Sequence, residues 1–291
     1  MDGDLIFSDY TQEGLDAQYD NGAAVPSVDD IMERWAGMSA ETLTKFDHAL
    51  DIAYGPSAME KLDIVRPNSQ SPVPVNIFIH GGFWMRRDKK EYSFIAERFA
   101  SSGALTVVIN YALITSVDLD EIVRQCRAAV TWVHGNIAEH GGDPDWVFVT
   151  GNSAGGHLVS MMMATDWAAH GGLPSNVLKG GVALSGIYEL EPIQKCFIND
   201  ILHLSDGEVE RNSSITLPPT KEAPVLFAVG GAETAEFKRH TSNITEAWSQ
   251  KGCDCRSMEA PGKNHFSILD DFTDPDSALC KATLEMMGLP T

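Results

Sequence analysis

Short apolar segments that alternate with helical patterns constrain this chain more than any other feature of its sequence. The segments are rich in β-branched residues, which is typical of strands buried on both faces of a parallel sheet. Strand and helix alternate over roughly 200 residues, which predicts one open α/β sheet. The apolar segments are 73–79, 105–110, 146–150, 182–185 and 225–229, and the helical patterns cover 89–102, 117–140, 154–169, 236–251 and 276–287.

The rest of the chain is assigned around this sheet as one domain over residues 1–291. Residues 1–45 are polar and acidic and are interpreted as an N-terminal arm. Two alternating runs, 48–54 and 61–65, are separated by a Gly-Pro-Ser turn and predict an antiparallel pair of strands. Residues 189–220 break the alternation, and we expect a small helical cap over the carboxyl edge of the sheet, where such folds bind ligands.

Charge and cysteine usage exclude several classes of function. The chain has 21 Lys and Arg residues against 41 Asp and Glu residues, a formal net charge of −20. Such a surface repels nucleic acid and anionic lipid, so we expect neither as a partner. The N-terminus has no apolar stretch with a basic flank, and the five cysteines are scattered and odd in number. A cytoplasmic protein with free thiols is therefore expected. A homodimer is one option that the sequence leaves open.

The strongest catalytic motif is Gly151-Asn152-Ser153-Ala154-Gly155, which has the form G-x-S-x-G. It follows the apolar run 146–150 directly and precedes a helical pattern. A nucleophile serine in α/β-hydrolases occupies such a sharp turn from strand to helix, where only small neighbours avoid collision. We predict that Ser153 is the nucleophile.

A second motif, His80-Gly81-Gly82-Phe83-Trp84, follows the apolar run 73–79. Consecutive glycines allow the backbone to turn its N–H groups toward a developing negative oxygen, as the oxyanion-hole loop of α/β-hydrolases does. His80 is interpreted as a residue that shapes this turn and not as the catalytic base.

Chain order selects the base. In this fold the order is serine, carboxylate, histidine, which leaves His240 and His265 of the nine histidines. His240 lies inside the helical pattern 236–251, where we expect it to be solvated. His265 lies in a loop after a strand-like segment and before the last helices, so it is predicted to be the base.

The carboxylate that orients the base is expected just after the apolar run 225–229. Glu233 is the first carboxylate after the Gly230-Gly231 turn. Glu236 opens the next helical pattern, where an acidic side chain favours the helix dipole. Asp270 and Asp271 follow His265 and violate the chain order. We therefore predict that Glu233 is the acid.

Several motifs together resemble the arylformamidase, or kynurenine formamidase, group of α/β-hydrolases, whose oxyanion motif is HGGXW. The motifs are HGGFW, GNSAGG, LSGIYEL, VGGAETAEF and NHFSILDDF, and the N-terminal TQEGLDAQYDNGAAVP is similar as well. The resemblance covers essentially the whole chain. It implies an α/β-hydrolase fold with a mostly parallel sheet between helices.

The resemblance also implies a serine hydrolase that uses neither a metal nor another cofactor. The main-chain amides of Gly82 and Phe83 would form the oxyanion hole together with that of Ala154. The acid of the family is usually aspartate, and the matching position here is Glu233. Relatives hydrolyse varied esters, amides and carbamates, so the resemblance does not fix the substrate.

The predicted substrate pocket rests on weaker patterns. The aromatic residues Trp84, Tyr188 and Phe197 are candidates for its walls, although each is equally compatible with core packing. Met161 belongs to a run of three methionines on the helix after Ser153, which is more typical of core packing than of an adaptable pocket wall. No cluster of His, Cys, Asp and Glu has the spacing of metal ligands.

We expect a hydrolase that cleaves a small aryl formamide, amide or ester by acyl transfer. A general short-chain carboxylesterase or carbamate hydrolase is the alternative within enzymes. A binding protein on a hydrolase fold that has lost its chemistry is a more distant alternative, because such proteins typically lack part of the catalytic set.

Overall fold

A computed structural model describes residues 4–25, 27–219 and 221–291. The chain forms an eight-stranded sheet in the order β1-β2-β4-β3-β5-β6-β7-β8. β1 and β2 are antiparallel, β2 is antiparallel to β4, and the remaining neighbours are parallel. The strands are β1 (Asp47–Ala53), β2 (Lys61–Arg66), β3 (Val73–Ile79), β4 (Leu105–Ile109), β5 (Gly142–Asn152), β6 (Leu178–Leu184), β7 (Val225–Gly230) and β8 (Cys255–Ala260).

The expected α/β-hydrolase fold, with its mostly parallel sheet and its antiparallel pair at one edge, is confirmed. The prediction of one domain over 1–291 stays a prediction, since residues 1–3, 26 and 220 lie outside the described part. The helices are α1 (Gln12–Tyr19), α2 (Asn21–Ala24), α3 (Val28–Lys45), α4 (Ile95–Ser101), α5 (Leu119–Asn136), α6 (Ala154–Met163), α7 (Trp167–Gly171), α8 (Glu191–Lys195), α9 (Asn199–Leu202), α10 (Asp206–Asn212), α11 (Ala235–Gln250), α12 (Ile268–Thr273) and α13 (Ala278–Met286).

Two of the predicted helices are interrupted. The pattern over 89–102 forms a 3₁₀ turn, Lys89–Glu91, and then α4. In the 3₁₀ turn, the Lys89 ammonium group is buried against the Asp63 carboxylate at 2.7 Å. The pattern over 154–169 ends at Met163, and α7 begins after Asp166, whose side chain accepts from the Ala169 N–H. Asp166 is thus an N-cap that starts a new helix.

The sheet separates two hydrophobic layers. Helices α5, α6 and α11 supply the layer on one face, and α3, α4, α12 and α13 supply the layer on the other. In β3, Ile77 and Ile79 belong to the first layer, whereas Phe78 belongs to the second. Such alternation is required of a strand that is covered on both faces.

The N-terminal arm, defined here as α1–α3, is attached to the body at several places, two of which lie beside the segments that follow β7 and β8. The Tyr19 hydroxyl donates to the buried Glu236 carboxylate at 3.1 Å. On α3, Arg34 pairs with Asp270 of α12 at 2.7 Å, and the Trp35 indole donates to the same carboxylate at 3.3 Å. The arm therefore lies against the carboxyl edge of the sheet, beside the segments that follow β7 and β8.

The predicted helical cap is found as three short helices, α8–α10, between β6 and β7. Its last residue in the prediction, Thr220, lies outside the described residues. The cap packs against α1 and α5. Within the described parts of the chain, no helix combines the length and the apolar character needed to cross a bilayer.

Candidate active site

Ser153 stands in a strained turn between β5 and α6. Its backbone has φ 56° and ψ −121°, a conformation that a residue with a side chain rarely adopts. The Ser153 N–H donates to the Leu184 carbonyl at the end of β6, at 2.8 Å. A Cβ at Gly155 would collide with the Ile79 carbonyl, so the motif glycine allows α6 to pack against β3. This is the geometry of a nucleophile elbow.

The glycine-rich loop after β3 presents backbone N–H groups beside this turn. Gly82 has φ 111°, and a Cβ there would collide with the carbonyl of Arg86, so a glycine is required. Phe83 also has a positive φ, 49°. The Gly81 N–H donates to the Asn152 side chain at 3.2 Å, whereas the N–H groups of Gly82 and Phe83 have no acceptor among the described residues. The latter two are therefore free to bind an oxyanion.

His80 packs beneath the glycine-rich loop in the core and contacts its backbone, in agreement with the interpretation of His80 as a residue that shapes the turn. Its ring stacks on Tyr111 at 4.4 Å and on Tyr92 at 5.7 Å between centroids. The ring nitrogens lie 2.8 Å from the Gly81 carbonyl oxygen and 3.1 Å from the Asn110 side-chain oxygen. Full burial lowers the pKa of His80. The ring is thus fixed in the core and is not exposed to a substrate.

His265 and Glu233 meet at the carboxyl ends of β8 and β7. The Nδ1 atom of His265 lies 2.7 Å from Oε2 of Glu233. Both side chains are buried, and the Glu233 side chain is only 1% exposed. The other carboxylate oxygen, Oε1, accepts from the Gly230 N–H at 2.7 Å. A buried carboxylate against Nδ1 holds an imidazole with Nε2 turned away, free to accept a proton.

His240 is buried and not solvated, which corrects the prediction made for it. Glu236 lies in the first turn of α11, where the sequence placed it. His240 is 1% exposed and its Nε2 lies 2.9 Å from the Tyr19 hydroxyl. Burial lowers its pKa to about 3. Glu236 is also buried and pairs with Arg239 at 2.8 Å. Both residues lie on the inward face of α11, and through Tyr19 they anchor the N-terminal arm. Glu236 therefore does more than place a charge at the helix terminus.

A narrow cavity lies beside Ser153 and His265, and both residues line it. No hydrogen bond joins the two side chains within the described residues, and such bonds are often long before a substrate is bound. The cavity volume is about 30 Å³, more than the roughly 10–15 Å³ that a single water molecule needs. The remaining lining residues are Asn21, Met32, Trp35, Gly82, Phe83, Arg86, Arg87, Tyr92, Asn152 and Phe266.

The two arginines of this cavity differ in their partners. Arg87 pairs with Glu91 at 3.2 Å. Arg86 has neither a hydrogen bond nor an ion pair with its side chain in the part of the chain that the structure describes. Partial burial and the neighbouring Arg87 lower the pKa of Arg86. The Asp20 carboxylate acts on the Arg86 guanidinium group without a hydrogen bond between them, so a positive group lines this cavity in a chain with a net charge of −20.

The structure does not place the predicted pocket residues along this cavity, which corrects that part of the prediction. Trp84 is fully buried, edge-on to the His157 ring at 5.1 Å. Tyr188 is also fully buried and belongs to the core layer. Met161 lines a separate surface cavity, and Phe197 is 44% exposed on the helical cap. Met161 is also buried in the core layer, so Trp84, Tyr188 and Met161 serve packing, the alternative stated for them.

Some cavity-lining residues that the sequence did not single out come from the N-terminal arm. Asn21, Met32 and Trp35 form one wall of the cavity, and none of them belongs to a catalytic motif. Asn21 is 5% exposed, and its side-chain nitrogen has no partner among the described residues. No local pattern could identify this wall, because the arm reaches the site only through the tertiary fold.

Metal ligands are not grouped in the described parts of the chain. No three His, Cys, Asp or Glu side chains there come together in a way that could hold an ion. The five cysteines have free thiols.

Comparisons with known proteins agree on the class of this chain. The BD-FAE family model matches residues 62–178. The kynurenine formamidase of Danio rerio is 31% identical over 245 residues, which cover 82% of this chain and 82% of that protein. A crystal structure from Silicibacter sp. TM1040 is 29% identical, has a TM-score of 0.80, and covers 92% of this chain and 97% of its own. Esterase B from Lactobacillus rhamnosis has a TM-score of 0.71 at 19% identity, covers 92% of this chain and 94% of its own, and shows the fold alone.

Proposed function

The chain belongs to the kynurenine formamidase family of α/β-hydrolases, and from this we propose that it hydrolyses a small aryl formamide, amide or ester by acyl transfer to Ser153. One observation carries the proposal. Ser153, in its strained turn, and His265, held by a buried carboxylate at 2.7 Å, line the same cavity. A nucleophile, a base and an orienting acid are the three parts that acyl transfer to serine requires.

In the first half of the reaction, His265 Nε2 accepts the proton of the Ser153 hydroxyl as the oxygen attacks the carbonyl carbon of the substrate. The C–O bond forms, and the carbonyl electron pair moves to its oxygen. His265 then gives the proton to the leaving nitrogen or oxygen, and that bond breaks. Glu233 keeps the proton on Nδ1 and stabilises the imidazolium. In the second half, His265 accepts a proton from a water molecule as the water oxygen attacks the acyl carbon. The bond from that carbon to Ser153 Oγ then breaks, His265 returns the proton to Oγ, and the acid leaves.

The tetrahedral oxyanion needs donors that are fixed in advance. The N–H groups of Gly82, Phe83 and Ala154 meet this requirement, because all three border the elbow and none has an acceptor among the described residues. Removing one such donor in a related enzyme costs roughly 3–4 kcal/mol in the transition state. These three amides are the proposed oxyanion hole.

The size of the cavity supports a small acyl group. The small volume of about 30 Å³ favours a formyl group over an acetyl or longer acyl chain, which needs more space beside Ser153. Each further buried methylene that has to be fitted into a packed region costs typically 1–3 kcal/mol. We therefore propose that formyl substrates are preferred.

The charge of the cavity supports a substrate with an anionic group away from the reacting carbonyl. Arg86 has no hydrogen-bonded carboxylate among the described residues, although the Asp20 carboxylate acts on it at longer range. The Asn21 amide nitrogen, which lines the same cavity, has no partner among the described residues either. A carboxylate on the substrate would satisfy both groups through charge-assisted hydrogen bonds.

A matched substrate panel tests the proposal. One aryl leaving group is attached to formyl, acetyl, butyryl and carbamoyl groups, as amides and as esters, each with and without a carboxylate on the ring. We expect kcat/KM to be at least tenfold higher for formyl than for acetyl, and higher for the anionic member of each pair. In Arg86→Gln the preference for the anion is lost, whereas it persists in the control Arg87→Gln.

Two results would contradict the proposal. Equal rates for formyl and butyryl substrates would indicate the alternative, a general carboxylesterase. Absence of turnover, together with failure of a fluorophosphonate to label Ser153, would indicate a binding protein on a hydrolase fold.

A further inference from the structure

The segment after β6 lies between the nucleophile and the acid, and the mechanism above assigns it no role. Leu184 is the last residue of β6 and Ser185 the first residue after it, and both belong to the LSGIYEL motif. The Leu184 carbonyl accepts the N–H of Ser153 at 2.8 Å, and the Ser185 N–H donates to the Ala228 carbonyl of β7 at 2.7 Å. The end of β6 thus bridges the strand that carries the nucleophile and the strand that leads to the acid.

Ser185 itself contacts the acid. Its hydroxyl donates to Glu233 Oε1 at 2.5 Å, and the Gly230 N–H donates to the same oxygen at 2.7 Å. The other oxygen, Oε2, faces His265 Nδ1 at 2.7 Å. The two carboxylate oxygens therefore have different partners. Oε1 accepts hydrogen bonds from the Ser185 hydroxyl and the Gly230 N–H, whereas Oε2 contacts the His265 imidazole.

The backbone of Ser185 is unusual for a residue with a side chain. It is fully buried and has φ 50°. A left-handed conformation costs a non-glycine residue roughly 1–2 kcal/mol. A glycine would remove this cost, and Gly186 stands next to it in the chain. A serine nevertheless occupies this strained position, and its hydroxyl contacts the Glu233 carboxylate. Backbone strain of this kind clusters at functional sites.

We propose that Ser185 is a positioning residue of the triad, which acts on the reaction through Glu233. Glutamate has one more rotatable bond than aspartate, so its carboxylate needs an additional fixed contact to face one direction. The Ser185 hydroxyl and the Gly230 N–H supply that contact at Oε1 and thereby aim Oε2 at His265. This inference rests on the proposed function, since it requires Glu233 to orient the base.

Two substitutions of Ser185 separate the effect of its hydroxyl on the reaction from the effect of its backbone strain. Ser185→Ala removes the hydroxyl and keeps the strain, whereas Ser185→Gly removes both and protects against a failure to fold. We expect both variants to lose tenfold to a hundredfold in kcat on the fastest substrate of the panel, with KM within twofold. Ser214→Ala is the control, because Ser214 is a buried serine whose hydroxyl accepts from Ser160 at 2.7 Å, and we expect its kcat within twofold of the parent.

A double-mutant cycle gives a readout that a purely structural role would not affect. In the Glu233→Gln background, where the carboxylate is already lost, we expect Ser185→Ala to reduce kcat by less than twofold. Persistence of the full loss in that background would overturn the inference, because Ser185 would then act by another route. An unchanged kcat in both single variants would overturn it as well.

Fluorophosphonate labelling of Ser153 distinguishes this inference from the proposed function. We expect rapid labelling of the parent and slower labelling of Ser185→Ala and Ser185→Gly, with circular dichroism spectra unchanged. A parent enzyme that is not labelled would refute the proposed function, and this inference with it. Rapid labelling of the parent together with equally rapid labelling of both variants would refute this inference alone.

Discussion

At the scale of single residues, the backbone of Ser153 exposes the hydroxyl on which the proposed reaction depends. Its φ of 56° is maintained by the strands and the helix on either side, since its N–H is bound to Leu184 and its neighbour Gly155 packs against β3. The strain is a property of the turn and not of the hydroxyl. Removing the hydroxyl should therefore leave the fold intact.

We expect Ser153→Ala to lose on the order of 10⁶ in kcat, the cost of removing a triad nucleophile in a related enzyme. Its midpoint of thermal unfolding should stay within a few degrees of that of the parent. Steady-state kinetics and calorimetry check the two parts. Activity near that of the parent would refute the proposed mechanism.

The two glutamates at residues 233 and 236 should have opposite phenotypes. Glu233→Gln should lose a thousandfold or more in kcat, because loss of the orienting carboxylate in a related triad costs about 10⁴. Glu236→Gln should change kcat only a few-fold but destabilise the fold by about 1–3 kcal/mol, since it leaves Arg239 and Tyr19 with a weaker buried partner. Kinetics and urea unfolding of both variants make the comparison, and equal mild losses of activity would show that Glu233 is not the acid.

At the scale of elements, the N-terminal arm and α12 form the side of the site that the motifs do not describe. Helix α3 supplies Met32 and Trp35 to the cavity, and it is tied to α12 through Asp270. The pair between Arg34 and Asp270 is partly exposed, so its contribution to global stability is small. Its effect should instead be local to α3.

We expect Asp270→Ala to increase amide hydrogen exchange along α3 and to raise KM, while global stability falls by no more than about 1 kcal/mol. Asp271→Ala is the matched control on the same helix, because Asp271 pairs with Lys263 at 3.4 Å and not with the arm. Exchange measured by mass spectrometry distinguishes the variants. The same protection of α3 in both would contradict a role of Asp270 in holding the arm.

At the scale of the whole molecule, two buried histidines couple stability to pH. Burial lowers the pKa of His240 to about 3 and that of His157 to about 4. Both values lie below the roughly 6.5 of an unfolded histidine. The unfolded chain therefore binds these protons first, and stability is lost as the pH falls from about 6.5 toward the folded values.

At pH 5 the loss should be about 2 kcal/mol for each of the two histidines, relative to pH 7. Urea unfolding at both pH values, in the parent and in His240→Gln, isolates one of them. We expect the difference in unfolding free energy between the two pH values to shrink by about 2 kcal/mol in the variant, whatever its stability at pH 7. An unchanged difference would show that His240 does not stay neutral in the folded state.

Local sequence patterns were enough to predict the sheet and the proposed catalytic residues. The apolar runs, the elbow around Ser153 and the glycines of the HGGFW loop depend on local periodicity and turn chemistry, which a single segment carries. Chain order then selected Glu233 and His265 from all other acids and histidines, and the structure brings these two within hydrogen-bond distance.

The surroundings of Ser153, Glu233 and His265 depend on tertiary packing. Burial of His240 and Glu236 depends on which face of α11 meets the body, and α11 has a polar composition that favoured solvent. Asn21, Met32 and Trp35 reach the cavity across more than a hundred residues of chain, whereas Tyr188 and Trp84 turn into the core. These outcomes follow from how distant elements pack against one another, and no local pattern of residues encodes that contact.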